Sequence, residues 1–170
     1  MRLESGTPFV KESCIQIFGV TYCIPAVETI KESTIVAVNL GGAIVPILIS
    51  LYLIYKFPGS LSYSVAAIFL ISILMYKVAR PVKGVGIVTP ALLPPIIAAI
   101  VAFVMTITFS PAHDYRFIIA YVGGTLGTLI GADIMNINKV RELGAPIASI
   151  GGAGTFDGIF LVGILAVLLV

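Results

Sequence analysis

The sequence predicts an all-α polytopic membrane protein of about five transmembrane helices, with a small β-hairpin ahead of them. Three observations lead there. The chain is 59% hydrophobic and 11% charged, with a mean hydropathy of +1.13, whereas soluble domains run near 25% charged. Its apolar residues gather in long runs of the length a bilayer demands, about 20 residues. The basic residues fall between those runs or at their ends.

The N-terminal segment, residues 1–33, carries charges throughout and reads as extramembrane, without the long apolar stretch of a cleavable signal peptide. Within it, Ile15-Gln16-Ile17 and Val20-Thr21-Tyr22 alternate around Phe18-Gly19. That pattern predicts a two-residue hairpin turn in which glycine supplies positive φ. The register sets Cys14 opposite Cys23, close enough for a bridge. The side expected for this segment is the reducing one, where free thiols are the rule; bonded and free states both stay open.

Residues 34–170 form the predicted membrane domain. Spans are expected at about Thr34–Tyr55, Leu61–Ala79, Pro94–Phe109, Phe117–Ile134 and Phe156–Val170. Gly84–Pro95 is apolar yet holds three prolines. It reads either as a proline-kinked start to the third span or as a re-entrant segment, which lipid tolerates only where protein covers the backbone. Lys77, Arg80 and Lys83 follow span two, Lys139 and Arg141 follow span four, and the opposite side holds only Lys56 and Arg116. The positive-inside rule then places the N-terminus in the cytoplasm and the C-terminus outside a multi-pass cell membrane protein. Membrane lipids are the expected surroundings. No basic tract supports nucleic-acid binding, no ligand cluster implies a metal, and no cofactor is expected.

Two aspartates carry the functional argument. Asp133 and Asp157 each sit at the edge of an apolar run among glycines. A carboxylate at membrane depth costs roughly 2.5–3.5 kcal/mol, so it marks a pathway, a relay or a binding site more often than an accident. In the predicted topology both lie near the cytoplasmic face, as do Asn39 and the start of Gly84–Pro95, so one shared site is expected. Asn136, three residues after Asp133, is placed on its helical face. Gly151-Gly152-Ala153-Gly154-Thr155 is too glycine-rich for a good helix and offers backbone groups to the site. The candidate binding residues are therefore Asn39, Asp133, Asn136, Gly152, Gly154, Thr155 and Asp157. Asp157 also reads as a helix cap.

Three further patterns bear on packing. Gly123, Gly127 and Gly131 repeat every four residues and form a smooth ridge, a face on which a homo-oligomer can pack. Asn39, Gly42, Pro46 and Ser50 make a stripe along span one. Asn39-Leu40-Gly41-Gly42-Ala43 is faintly echoed by Ile150-Gly151-Gly152-Ala153. For a path beyond the aspartates, Ser50 and Thr106 are the polar candidates.

Val38–Pro46, Ala79-Arg80-Pro81, Gly84-Val85-Gly86, Gly131-Ala132-Asp133 and Gly151–Gly158 together resemble a prokaryotic multi-spanning family catalogued only as a domain of unknown function. The likeness runs from about Cys14 to the C-terminus and implies no activity. Gly131-Ala132-Asp133 and Pro90-Ala91-Leu92 look similar to the glycine–aspartate and Pro-Ala-Leu motifs of presenilin-like proteases. Here no glycine directly precedes the aspartate, and Pro-Ala-Leu comes before both aspartates, not after. Whether the chain is an enzyme stays open. One expectation is a small transporter or ion-coupled permease using Asp133 and Asp157. The alternatives are an intramembrane aspartyl protease with those residues as a catalytic dyad, and a non-catalytic assembly protein.

Overall fold

The computed structural model describes residues 2–17, 20–82, 86–140, 147–152 and 158–170. Its larger part is helical. A long β-ribbon comes first, formed by antiparallel β1 (Arg2–Ile17) and β2 (Val20–Val38). The expected register holds, with Ile17 opposite Val20 and Cys14 opposite Cys23. The ribbon is much longer than expected because β-branched residues continue through Thr34-Ile35-Val36-Ala37-Val38. These read as the start of a span by hydropathy, but they suit a pleated strand better than a helix.

Asn39 ends β2 and opens the first helix. Its Oδ1 accepts from the Gly41 and Gly42 amides at 2.9 and 3.3 Å, a side-chain cap. A π-helical turn, Leu40–Ile44, leads into α1 (Val45–Lys56), with Pro46 just past the junction. Pro58 then stops the helix, and a short 3₁₀ turn passes to α2 (Leu61–Val78). After it, Arg80-Pro81 turns extended, giving a small antiparallel pair, β3 (Arg80–Val82) and β4 (Gly86–Val88). Over its described part, the Gly84–Pro95 stretch is a β-strand that leads through a turn into the proline-bearing start of α3. Pro94 and Pro95 sit in the first turn of α3 (Leu93–Thr108).

A 3₁₀ segment, Ser110–Tyr115, leads to α4 (Arg116–Thr128). α4 continues as a π-helical turn, Leu129–Ile134, and then as the short α5 (Ile137–Val140). Strand β5 (Ile147–Ile150) pairs in parallel with the end of β2, Val38 opposite Ile150. The last helix is α6 (Gly158–Leu169).

Among the described residues there are five apolar helical stretches, of which Pro58–Val78 and Ala112–Lys139 are long and apolar enough to cross a membrane by themselves. Leu40–Lys56, Leu93–Thr108 and Gly158–Leu169 are shorter; a 16-residue helix reaches about 24 Å, short of a hydrocarbon core of about 30 Å. Strand β2 takes Thr34–Val38, which hydropathy had assigned to the start of span one, whereas α3 (Leu93–Thr108) matches the expected third span within a residue.

α4 is the hub and packs against α1, α2, α3 and α6. Its glycines explain why. A Cβ on Gly123 would lie 2.8 Å from that of Ala67, and one on Gly127 would lie 2.8 Å from Ile71 Cβ. Gly131 meets the Ser72 backbone. The glycine ridge is thus filled by α2 of the same chain. Gly127→Ala is expected to cost about 1–3 kcal/mol through overpacking, read as a lower midpoint in thermal unfolding of the detergent-solubilised protein.

The interior combines small residues with a few large ones: Ala67, Ala98, Ala102, Ala120 and Ala166 are fully buried, as are Ser50, Ser60, Ser64 and Thr125, beside Ile71, Met75, Ile119 and Val122. Large apolar side chains such as Leu51, Phe69, Ile100, Phe103 and Leu168 point outward.

Candidate functional site

At one end of the bundle the two glycine pairs of the internal echo pack on each other. The Asn39 amide donates to Ile150 O at 2.9 Å, extending the β2–β5 ladder by one bond. The Asn39 side-chain amide donates to Gly152 O at 3.0 Å. Gly151 and Gly152 have φ of +87° and +84°, a backbone that glycine adopts without strain. A side chain on Gly42 would run into Gly151 O, and one on Gly151 would sit 2.7 Å from the Ala43 amide. Glycine is needed at both positions because the two backbones touch.

This clasp presents the Gly151 amide to Asp133, whose Oδ2 accepts from it at 2.7 Å, the short distance of a charge-assisted bond. Asn39, Gly151, Gly152 and Asp133 thus form one bonded cluster, although they span 113 residues from Asn39 to Gly152. Asn39→Ala removes the helix cap and the tie to Gly152 together; a loss of about 1–2 kcal/mol is expected, measured by thermal unfolding. Asn39→Asp keeps the capping oxygen and loses only the donor, so it is expected to fall between wild type and Asn39→Ala.

Asp133 and Gly152 line a cavity of about 230 Å³. The same wall holds Thr128 and Ala132, from the α4 axis. Ile87, Val88, Thr89, Ala91 and Pro94 come from β4 and the start of α3, and Gly158, Ile159 and Val162 from α6. The stretch with three prolines therefore does meet Asp133, as a strand and turn.

The π-helical turn decides which residues share this wall. In a regular α-helix Asp133 would lie about 140° around from Thr128. The wider turn, closed by the i→i−5 bond from Met135 N to Ile130 O at 2.9 Å, brings Asp133 round toward Thr128; such turns recur at functional sites. It also strands carbonyls, and Asn136 serves them. Its Nδ2 donates to Gly131 O at 3.1 Å and to Ala132 O at 3.0 Å. Asn136 is fully buried and does not line the cavity. The expected Asp133–Asn136 face fails because that geometry assumed an unbroken α-helix.

Of the residues expected in the site, Asn39, Asp133 and Gly152 come together. Gly154, Thr155 and Asp157 lie outside the described residues. Among the described residues no group of three His, Cys, Asp or Glu side chains is placed to hold a metal.

Sequence reasoning missed Thr128 and Thr125. Thr128 is 2% exposed, and its hydroxyl has no hydrogen-bond partner among the described residues. Thr125 Oγ1 lies 3.2 Å from Ser50 Oγ inside the bundle and donates to Tyr121 O at 2.8 Å. Their signal was the spacing of three within Thr125-Leu126-Gly127-Thr128, overlooked beside the glycines. Thr106, a sequence candidate for a polar path, donates to Phe103 O of its own helix at 2.7 Å.

No curated protein and no solved structure matches this chain, so the likeness to presenilin-type proteases rests on two short motifs without support. A family model does match, covering residues 1–169. The ribbon, the bundle and the Asn39–Asp133 clasp all lie inside that range, and the chain belongs to the family described as protein of unknown function (DUF1614).

Proposed function

We propose that this chain is a multi-pass membrane protein acting as a small transporter or ion-coupled permease, with its binding site at the Asp133 cavity. The observation that carries the reading is a carboxylate on the wall of a 230 Å³ cavity among apolar helices. A group so costly to hold there is kept for a solute, an ion or a proton.

The inverted distribution of side chains supports the membrane setting. Many small residues lie in the interior, where they let helices approach closely. The outward Leu, Ile and Phe side chains make an apolar surface far larger than water tolerates. Bilayer thinning and contact with neighbouring helices accommodate the three shorter helices. The positive-inside rule puts the N-terminus and the basic loops in the cytoplasm.

The test is flux into proteoliposomes containing the purified protein, under an imposed ion gradient, with Asp133→Asn beside the wild type. Wild-type flux that falls to the empty-vesicle background in the variant is the expected result. Equal flux from both proteins would end the proposal.

One observation favours a second reading. Ala91, of Pro90-Ala91-Leu92, lines the same cavity as Asp133, as an intramembrane aspartyl protease site would require. Cleavage of a fluorogenic transmembrane peptide by the wild type, lost in Asp133→Asn and without accompanying flux, would select it over transport.

A further inference from the structure

We infer that the solute bound at this site is a primary alkylammonium ion, its N–H donors held by Asp133 and Thr128 and its carbon chain by the apolar remainder of the cavity wall. The inference rests on the transport reading above and names the class of its solute.

The charge of the wall selects a cation. Asp133 is part-buried, and its Oδ2 accepts from the Gly151 amide. An ionised carboxylate offers about four acceptor sites, so it can hold the clasp and a ligand together. Among the described lining residues there is no Lys, Arg or His, so an anion would meet the carboxylate with no side-chain cation to offset it. The N-terminus of α6 opens on the cavity at Gly158. A helix end carries only about half a unit of positive charge, against the full unit of the carboxylate.

The rest of the wall selects which cation. A sodium or potassium ion entering here would exchange its hydration shell for several converging oxygens, and calcium takes about six to eight. The side-chain oxygens of the described lining are those of Asp133, Thr89 and Thr128. Much of what remains is hydrocarbon from Ile87, Val88, Ile159 and Val162, a surface that a metal ion leaves unused and an alkyl chain covers. A quaternary ammonium has no N–H and is recognised by aromatic faces; the described lining holds no aromatic ring. A primary ammonium carries three N–H donors and needs acceptors close together.

Thr128 supplies the second acceptor. It is buried, it shares the wall with Asp133, and its hydroxyl has no partner among the described residues. A buried hydroxyl left unpaired is costly, and an N–H beside Asp133 removes that cost. Threonine in a helix takes either of two rotamers, so the hydroxyl can turn to meet it. Volume sets the length of the chain. A cavity of about 150 Å³ takes benzene, and on that scale 230 Å³ takes about nine non-hydrogen atoms.

The experiment is equilibrium dialysis of radiolabelled butylammonium against the full chain in detergent, with protein-free micelles as the blank. Saturable binding is expected, displaced by unlabelled butylammonium. Equal concentrations of sodium, of butanol or of tetramethylammonium, which is built from the same atoms, are expected not to displace it. Asp133→Asn keeps an acceptor for Gly151 and removes the charge, so binding should weaken at least about tenfold. Thr128→Val keeps the shape and removes the hydroxyl; binding about tenfold weaker is expected, the effect of one lost hydrogen bond to a charged group. Its unfolding midpoint should equal or exceed that of wild type, because the lost hydroxyl leaves no partner behind. A structural role for that hydroxyl would lower the midpoint. Thr128→Ser is expected to restore binding, and if Asp133→Asn does not fold, Thr128→Val decides.

Displacement by sodium or tetramethylammonium as effective as by butylammonium would overturn the inference, as would wild-type affinity in either variant. Absence of saturable binding would overturn it too, and Asp133-dependent sodium flux in proteoliposomes would then leave the transport reading standing. Saturable binding to a protein that carries no cation would do the reverse, supporting the ligand class and ending the transport reading.

Discussion

Gly151→Ala is expected to be the most destabilising single-methyl change at the Asn39–Asp133 clasp. The residue has φ of +87°, where an L side chain costs roughly 1–2 kcal/mol. The added Cβ would also press on the Ala43 amide and on the Gly42 carbonyl carbon, 2.7 and 2.8 Å away, for roughly another 1–3 kcal/mol of overpacking. Relief requires separating two backbones held by the Asn39 bonds to Ile150 and Gly152. A fall in the unfolding midpoint of the detergent-solubilised protein is therefore expected, larger than that of Gly127→Ala. The Gly151 amide would also leave Asp133, so flux should be lost even below the unfolding midpoint. Gly158→Ala is the control. A Cβ there meets nothing within 4 Å, and an unchanged midpoint is expected. A Gly151→Ala midpoint equal to that of wild type would show that the two backbones do not touch.

Asp133→Asn should separate function from stability. The asparagine carbonyl oxygen can still accept from the Gly151 amide, so the midpoint should move little. The negative charge is gone, and flux should fall to the vesicle background. Asp133→Ala removes the acceptor too and leaves the Gly151 amide unpaired at a part-buried site. A cost of about 1.5–3 kcal/mol, the range for bonds to charged groups, is expected there. Thermal unfolding and flux measured on both variants check this. Loss of flux only in the variant that also loses stability would make Asp133 a structural anchor and nothing more.

Much of the molecule was legible in one dimension. Hydropathy located the five apolar helical stretches seen among the described residues, because burying or lipid-coating a helix demands an apolar run whatever surrounds it. Alternation around Phe18-Gly19 placed the hairpin register, Cys14 opposite Cys23, because strand periodicity is local. The unusual residues Asn39, Asp133 and Gly152 stood out since each is costly or conformationally special in an apolar setting.

The boundaries were less legible, for a physical reason. Ile35-Val36-Ala37-Val38 is apolar enough for a membrane helix and β-branched enough for a strand. Its partner decides, and β5, which pairs with it, lies more than a hundred residues away. Gly86–Val88 became a strand for the same reason, through Arg80–Val82.

The sequence by itself determined that the protein is built from apolar helices, that a hairpin precedes them, and that a carboxylate sits where apolar surroundings make it costly. Each of these follows from composition or from a period of a few residues. Only the tertiary structure decided that the Gly123–Gly131 ridge is filled by α2, and that Asn136 serves stranded carbonyls while Thr128 joins Asp133. A ridge does not specify what fills it. Likewise a helical wheel drawn at 3.6 residues per turn cannot anticipate one wide turn, whose added rotation reassigns every side chain after it to a new neighbour.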